Sequence, residues 1–475
     1  MAPFGKFLVK EKNRTAIIFL FTLVSLSAVL WLWTQTRVRV TCRNSENCER
    51  MSSTGDVFFS FSKPVDPENI NLLFQTTPGT TGRWDWLDEQ TARWSPLNPL
   101  PAESRITLHF KPGEAGRRGE RIRKNFKWEV EIRQALILAL GQTDEGSELF
   151  LIDPQSSGEP RLLTRTGGRV EDYAPSPDGE QIAYSVKNGS DGHDLWVMDR
   201  DGKDAHLLLD CQRDRCGTPA WSLEGSLLAY TRETTAALDG NSSSSIQVWT
   251  LNVRTGATSS LFTDGSSSRS DPKWSPDGEW ISIWNMLEKQ IELVNLKSNK
   301  IIPLETPNGN SGCWSADGQS YHFSGMAGGE GEFHNLIFQA DTLSGKASVV
   351  LGEEGEYEHT HEGSDEESGY DHLSVDNPAC DPSEGWLAAR IQPNVNIPGY
   401  ELIAYHPQSG EEVTVMQDFS RIISAYSWSP DGRQVVLQTF PLGGGMEDIQ
   451  IWVWERASGE IRRISSGLRI PQWLP

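Results

Sequence analysis

The densest concentration of groups able to do chemistry lies between Gly352 and Asp376. That stretch holds ten acidic residues, no basic ones, and His359, His361 and His372. Carboxylates and imidazoles together can hold a divalent cation, and His359, His361, Glu362 and His372 are the candidate ligands. Their spacing matches no metal motif, and the plainer reading of a run of this charge is a solvated acidic loop. The six cysteines fall into two groups. Cys42 and Cys48, like Cys211 and Cys216, are close enough in sequence to close local disulfides in an oxidising compartment. Neither pair has the further sulfur or imidazole nearby that a metal site requires. Cys313 and Cys380 sit inside a repeated phrase and are expected to be small buried residues. No Gly-x-Ser-x-Gly elbow or phosphate-binding glycine loop accompanies these groups, and Gly443-Gly444-Gly445 reads as a loop tip. A net charge of −22 over 475 residues argues against a nucleic-acid partner.

The elements that must position these groups are written in a repeat. Trp274-Ser275-Pro276-Asp277-Gly278 recurs as Trp428-Ser429-Pro430-Asp431-Gly432. Looser copies begin at Pro175, Trp221, Trp314 and Cys380, and a last one is cut to Pro471-Gln472-Trp473. The tryptophan position therefore recurs at 175, 221, 274, 314, 380, 428 and 473, a period of about 50 residues that suits propeller blades. After each phrase come a strand, a loop of variable length, a more apolar strand, a tight polar turn and a short last strand. Asp-Gly suits a tight hairpin because glycine accepts positive φ, and a tryptophan can fill the space between neighbouring blades. The phrase is thus architecture rather than a reaction centre.

These residues resemble the repeats of the TolB-type β-propeller family, also found as the propeller of prolyl oligopeptidases. The resemblance covers residues 134 to 475. It implies an all-β ring of four-stranded blades and leaves function open, since propellers host many activities. Prolyl oligopeptidases need a hydrolase domain for their triad, so that activity does not carry over. Ala135–Leu140, Glu148–Ile152 and Arg161–Thr164 supply strands with no inner strand before them, while the phrase at Trp473 has nothing after it. The economical solution is closure of the first blade by the C-terminal segment. That gives seven blades, where the TolB protein has six. With up-and-down strands, the long insertions gather on one face: 233–244, 324–332, 352–376, 392–399 and 441–447. Variable loops on a rigid scaffold are where binding residues concentrate.

Two segments precede the propeller. Residues 1–14 are basic, and Thr15 to Thr36 carries no charge, long enough to span a ~30 Å hydrocarbon core. Trp31 and Trp33 stand at its far end, as interfacial aromatics do. The competing reading is a cleaved signal ending near Ser25-Leu26-Ser27. Residues 37–51 read as a linker. Residues 52–133 read as a small β-sandwich with strands at 56–62, 70–74, 82–86, 91–94, 105–110 and 126–132. Phe61-Ser62-Lys63-Pro64-Val65 and Pro96–Leu100 are similar to a bacterial Ig-like domain of cell-surface proteins.

The expectation is an all-β chain: a seven-bladed TolB-like β-propeller plus an Ig-like β-sandwich behind an N-terminal transmembrane helix. Its C-terminal domains would be extracytoplasmic. It would act not as an enzyme but as a binding protein for a protein or cell-envelope polymer, without a cofactor. The alternative is a metal-dependent enzyme with a divalent cation on the same long-loop face. An N-in anchor predicts that residues 40 to 475 are open to added protease on spheroplasts. Protection of the whole chain there would reject that orientation.

Overall fold

A computed structural model describes residues 36–42, 48–53, 55–97, 100–156, 158–234, 245–262, 268–306, 309, 312–329, 332–352, 374–392 and 399–475. The expected tail 1–14 and all but the last residue of the expected anchor 15–36 lie outside these residues. No helix among the described residues is long and apolar enough to cross a membrane. The chain divides into two compact units. One comprises residues up to Met51 together with Asp56–Ile132, and the other Ser52–Gly55 with Arg133–Pro475.

The first unit is built from two four-stranded sheets and a small three-stranded one, of Arg37–Val38, Arg121–Ile122 and Gly113–Glu114, around one core. In one of the larger two, Val57–Phe61 lies between Val40–Cys42 and Thr91–Pro96, with Gly82–Trp86 at the edge. In the other, Phe126–Ile132 lies between Arg50–Met51 and Arg105–Phe110, with Phe74–Thr77 outermost. Alternation in Val57–Phe61 buries Val57, Phe59 and Phe61, as a half-buried strand requires. Phe59 meets Phe110 edge-on at 5.0 Å between ring centroids, and Phe74 meets Trp84 likewise at 5.0 Å.

Two expectations are corrected here. Residues 37–51 are not only a linker: Val40–Cys42 pairs with Val57–Phe61, and Arg50–Met51 runs parallel to Phe126–Ile132. Val40 and Met51 are buried in the shared core, which draws these short segments into the sheets. Ile70–Phe74 is not a strand either, because Pro67–Leu73 is a helix. Asp66 caps it by accepting from the Glu68 amide at 3.1 Å, and proline starts the first turn. These local signals outweigh the β-propensity of the apolar residues.

The second unit is a β-propeller of consecutive antiparallel sheets. Each phrase position falls at or near the C-terminal end of an inner strand: Val170–Pro175, Arg215–Trp221, Arg269–Trp274, Cys313–Trp314, Ser374–Cys380, Arg421–Trp428 and Leu468–Leu474. Three further strands follow each of the first six in hairpin order. The sheets starting at Val170 and Arg215 touch through a single parallel pair, His193 with Arg215. The last inner strand pairs antiparallel with Leu136–Thr143, setting Leu136 opposite Leu474 and Ile137 opposite Trp473.

The phrase builds its turn by one repeated device. The serine hydroxyl donates to the aspartate two residues on, at 2.6 Å for Ser176–Asp178 and 2.6 Å for Ser429–Asp431. The same serine oxygen accepts the amide of Gln181 at 2.9 Å, or of Gln434 at 3.0 Å. The glycine takes positive φ, +72° at Gly278 and +65° at Gly432, which glycine alone adopts without strain.

Trp473 is 6% exposed and packs against Ile137, Val436 and Val453. Trp473→Ala should therefore cost about 3–5 kcal/mol, read as a lowered urea midpoint or Tm. Leu343→Ala, at a side chain 89% exposed, should leave stability unchanged. Equal melting of the two variants would contradict the closing role of this strand.

Candidate binding face and the inner-strand ring

The two ends of the propeller differ in what they carry. Turns at the phrase end are short, as at 176–180, 275–279 and 429–433, and so are those between third and fourth strands, as at 253–257 and 342–346. The opposite end receives 235–244, between Leu227–Thr234 and Ser245–Asn252, and 352–373, between Ala347–Leu351 and Ser374–Cys380. Up-and-down hairpins fix this sorting, since second-to-third-strand loops and sheet-to-sheet crossings leave from the same end. His359, His361, Glu362 and His372 lie within the second insertion and outside the described residues.

The crossing at Cys211–Cys216 is tightly built. The two cysteines are disulfide-bonded and buried. Asp194 accepts the Cys211 amide at 2.9 Å and the Asn188 side-chain amide at 2.9 Å. Asp214 within the loop pairs with Arg232 at 2.7 Å. In the first unit Cys42 is bonded to Cys48. The third pair departs from expectation. Cys313 and Cys380 are joined to each other, not merely buried as separate residues. They lie on consecutive inner strands, which brings together residues 67 apart in sequence.

The inner strands carry a second repeated feature three residues before the phrase. Thr218, Asp271, Asn377 and Ile470 have positive φ, between +44° and +57°, and each marks a shift in register with the strand beside it. Such bulges turn a side chain aside from the ladder. A β-branched residue in this conformation is an outlier held by its surroundings. Here each holder is a polar side chain of the preceding sheet. The amide of Asp271 donates to Thr231 Oγ1 at 3.3 Å, that of Asn377 to Ser324 Oγ at 2.8 Å, and that of Ile470 to Gln438 Oε1 at 2.5 Å.

Asp172 occupies the corresponding place in the first inner strand. Its carboxylate accepts the Tyr173 amide at 2.8 Å and is also bonded by the Thr218 backbone. Burial pushes its pKa up from 3.8 to about 6, and the charges of Asp271 and Glu171 add to the rise. A carboxyl poised there can exchange a proton near neutrality or pair with a cationic group. The sequence reading missed this ring. The available signal was the polar residue recurring at 172, 218, 271 and 377, always three before the phrase.

Buried ion pairs brace the same strands. Arg390 grips Asp376 through two bonds of 2.8 and 2.9 Å and reaches the Ile423 carbonyl of the next inner strand at 2.9 Å. Arg269 meets Glu292 at 2.7 Å, and both side chains are under 10% exposed. His322 is buried, with Nδ1 3.6 Å from Cys380 Sγ. Burial holds its pKa down at about 4, so the ring is neutral at physiological pH.

No family model matches the chain, and no curated protein matches it. Solved structures do. The chain is similar to a prolyl endopeptidase structure at 14% identity and a TM-score of 0.49, over 79% of this chain and 49% of that one. It is similar to TolB from Acinetobacter baumannii at 16% identity and a TM-score of 0.40, over 72% and 83% of the two chains. The β-propeller domain of the Trilobed protease from Pyrococcus furiosus, described as having an open velcro topology, is similar at 12% identity and a TM-score of 0.46, over 78% and 97%. The chain spans about half the length of that prolyl endopeptidase. The propeller architecture here stands on its own strand pairing.

The Asp172 environment sets a pH dependence with a definite sign. The fold binds this proton more tightly than the unfolded chain, so ionisation counts against the folded state. The penalty is absent at pH values below 3.8, grows through the interval and is complete above about 6. Asp172→Asn keeps an acceptor for the Tyr173 amide and removes the charge. It should stabilise by about 2–3 kcal/mol at pH 8 and have little effect near pH 3.5. A gain of the same size at both pH values would contradict the assignment.

Proposed function

We propose that this chain is a membrane-anchored, extracytoplasmic binding protein that engages a protein or envelope polymer through the long-loop end of its propeller. In this reading the second unit is a seven-bladed ring, and the first is an Ig-like sandwich that follows an N-terminal transmembrane helix in the sequence. The chain acts by binding rather than by catalysis and uses no resident cofactor.

One observation carries the proposal: the asymmetry between the two ends of the ring. The phrase end is uniform, with serine, aspartate and glycine spent on turn geometry. The other end is where the long insertions at 235–244 and 352–373 are rooted, on strands braced by the Arg232–Asp214 and Arg390–Asp376 pairs. A rigid frame with long, individual loops on one side suits recognition, because the frame loses little entropy when the loops engage. The uncharged run to Thr36 and the locally bonded cysteines support an exported location.

The test compares ends. Residues 37–475 would be immobilised and exposed to solubilised envelope material. Bound protein and polymer would be quantified for the parent, for a variant with 235–244 and 353–373 replaced by short Gly-Ser links, and for one with Leu343, Ser344 and Lys346 changed to alanine at the phrase end. Loss of a specific partner in the loop variant alone, by about tenfold or more (about 1.4 kcal/mol), is expected. Equal capture by all three, or loss only at the phrase end, would contradict the proposal.

A further inference from the structure

We propose that Cys313, Cys380 and His322 form a redox-gated site for a soft divalent cation, zinc being the representative. The disulfide is its closed state and a Cys2His centre its open one.

The geometry suits that chemistry. The two sulfurs and one imidazole nitrogen lie within 4.8 Å of one another. Zinc takes thiolate sulfur at about 2.3 Å and imidazole nitrogen at about 2.0–2.1 Å, so tetrahedral ligand atoms stand ~3.5–3.8 Å apart. His322 Nδ1 already sits 3.6 Å from Cys380 Sγ. The two sulfurs must separate once the bond between them breaks. Cys313 and Cys380 are partly exposed while His322 is buried, and three protein ligands leave the fourth tetrahedral position to a water. The Cys211–Cys216 and Cys42–Cys48 pairs have no such partner among the described residues, since this is the one three-ligand group found there.

The chemistry balances with a dithiol as reductant. The dithiol gives two electrons and two protons to the Cys313–Cys380 bond and itself becomes a disulfide, leaving two thiols on the protein. Zinc then binds both sulfurs as thiolates, the two thiol protons pass to solvent, and His322 donates its nitrogen lone pair. In either state the same two inner strands stay tied, covalently or through the metal.

The experiment uses residues 37–475, oxidised or reduced with a phosphine under anaerobic conditions, titrated with Co2+ as a spectroscopic stand-in for zinc. The reduced protein should develop a thiolate-to-cobalt charge-transfer band and intense visible bands, saturating at one equivalent. The oxidised protein should develop neither. Cys313→Ser and Cys380→Ser should each abolish the charge-transfer band or cut it by half. His322→Asn, which keeps both thiols, should weaken cobalt binding about tenfold or more. Zinc should raise the Tm of the reduced parent and not that of the oxidised one, a readout that stands if the histidine variant misfolds. The proposal is overturned if thiol counting shows full reduction without a cobalt–thiolate band. It is equally overturned if the reduced parent and Cys313→Ser give the same spectrum, which would place the metal on the other cysteines.

Discussion

The indole N–H of one inner strand bonded to the backbone carbonyl of the strand before it is the interaction on which the propeller depends. Trp221 donates to Ala174, Trp274 to Ala220, Trp314 to Lys273, Trp428 to Ala379 and Trp473 to Ser427, all between 3.0 and 3.1 Å. In each case the acceptor is the residue just before the phrase position of the preceding sheet. One side chain thereby fills the wedge between sheets with apolar area and satisfies an inner-strand carbonyl. The polar clasps at Thr231, Ser324 and Gln438 repeat the same logic one turn of sequence earlier. Neighbouring sheets are held at two heights, and the bulges between those heights are locked in place.

Where the tryptophan is missing, another bond stands at the same junction. Cys380 occupies the tryptophan position and Cys313 the acceptor position before Trp314, so the disulfide replaces the indole bond in register. Pro175 also lacks an indole. There Tyr173 donates its hydroxyl to the carbonyls of Leu138, at 2.9 Å, and Ile470. Arg200 adds a bond of 2.7 Å to the Pro475 carbonyl. Gly179 allows that approach, since a Cβ there would lie 1.9 Å from the same oxygen. The junction beside the acidic insertion is thus covalent where the others are hydrogen-bonded, and it is also where His322 meets the two sulfurs.

Much of this frame was legible in the sequence because it repeats. The phrase fixed the period, the ends of the inner strands and the pairing of Trp473 with the first sheet, since each copy must satisfy the same turn and the same wedge. The short strands before Met51 and the helix at Pro67–Leu73 were not legible. The first depend on partners far along the chain, and the second on a cap at Asp66 that outweighs an apolar run. The Cys313–Cys380 bond was hidden for a similar reason. Sequence shows the two residues inside separate phrases, and only stacking of the sheets brings position 313 against position 380. Asp172 was hidden because its raised pKa comes from burial and from Asp271 on another strand, neither of which has a local signature. The proposed metal ligands in the acidic insertion, His359, His361, Glu362 and His372, lie outside the described residues, so the binding face rests on where its loops are rooted.

The account holds that the sheets stand together through their inner-strand clasps and open only together. Hydrogen exchange at the indole nitrogens, followed by NMR on protein labelled at those atoms, tests this most directly. The N–H groups of Trp221, Trp274, Trp314, Trp428 and Trp473 should share one opening free energy, equal to that of global unfolding measured with denaturant under the same conditions. If these five exchange at widely different rates, or well before global unfolding, the junctions open independently and the clasps do not hold the ring.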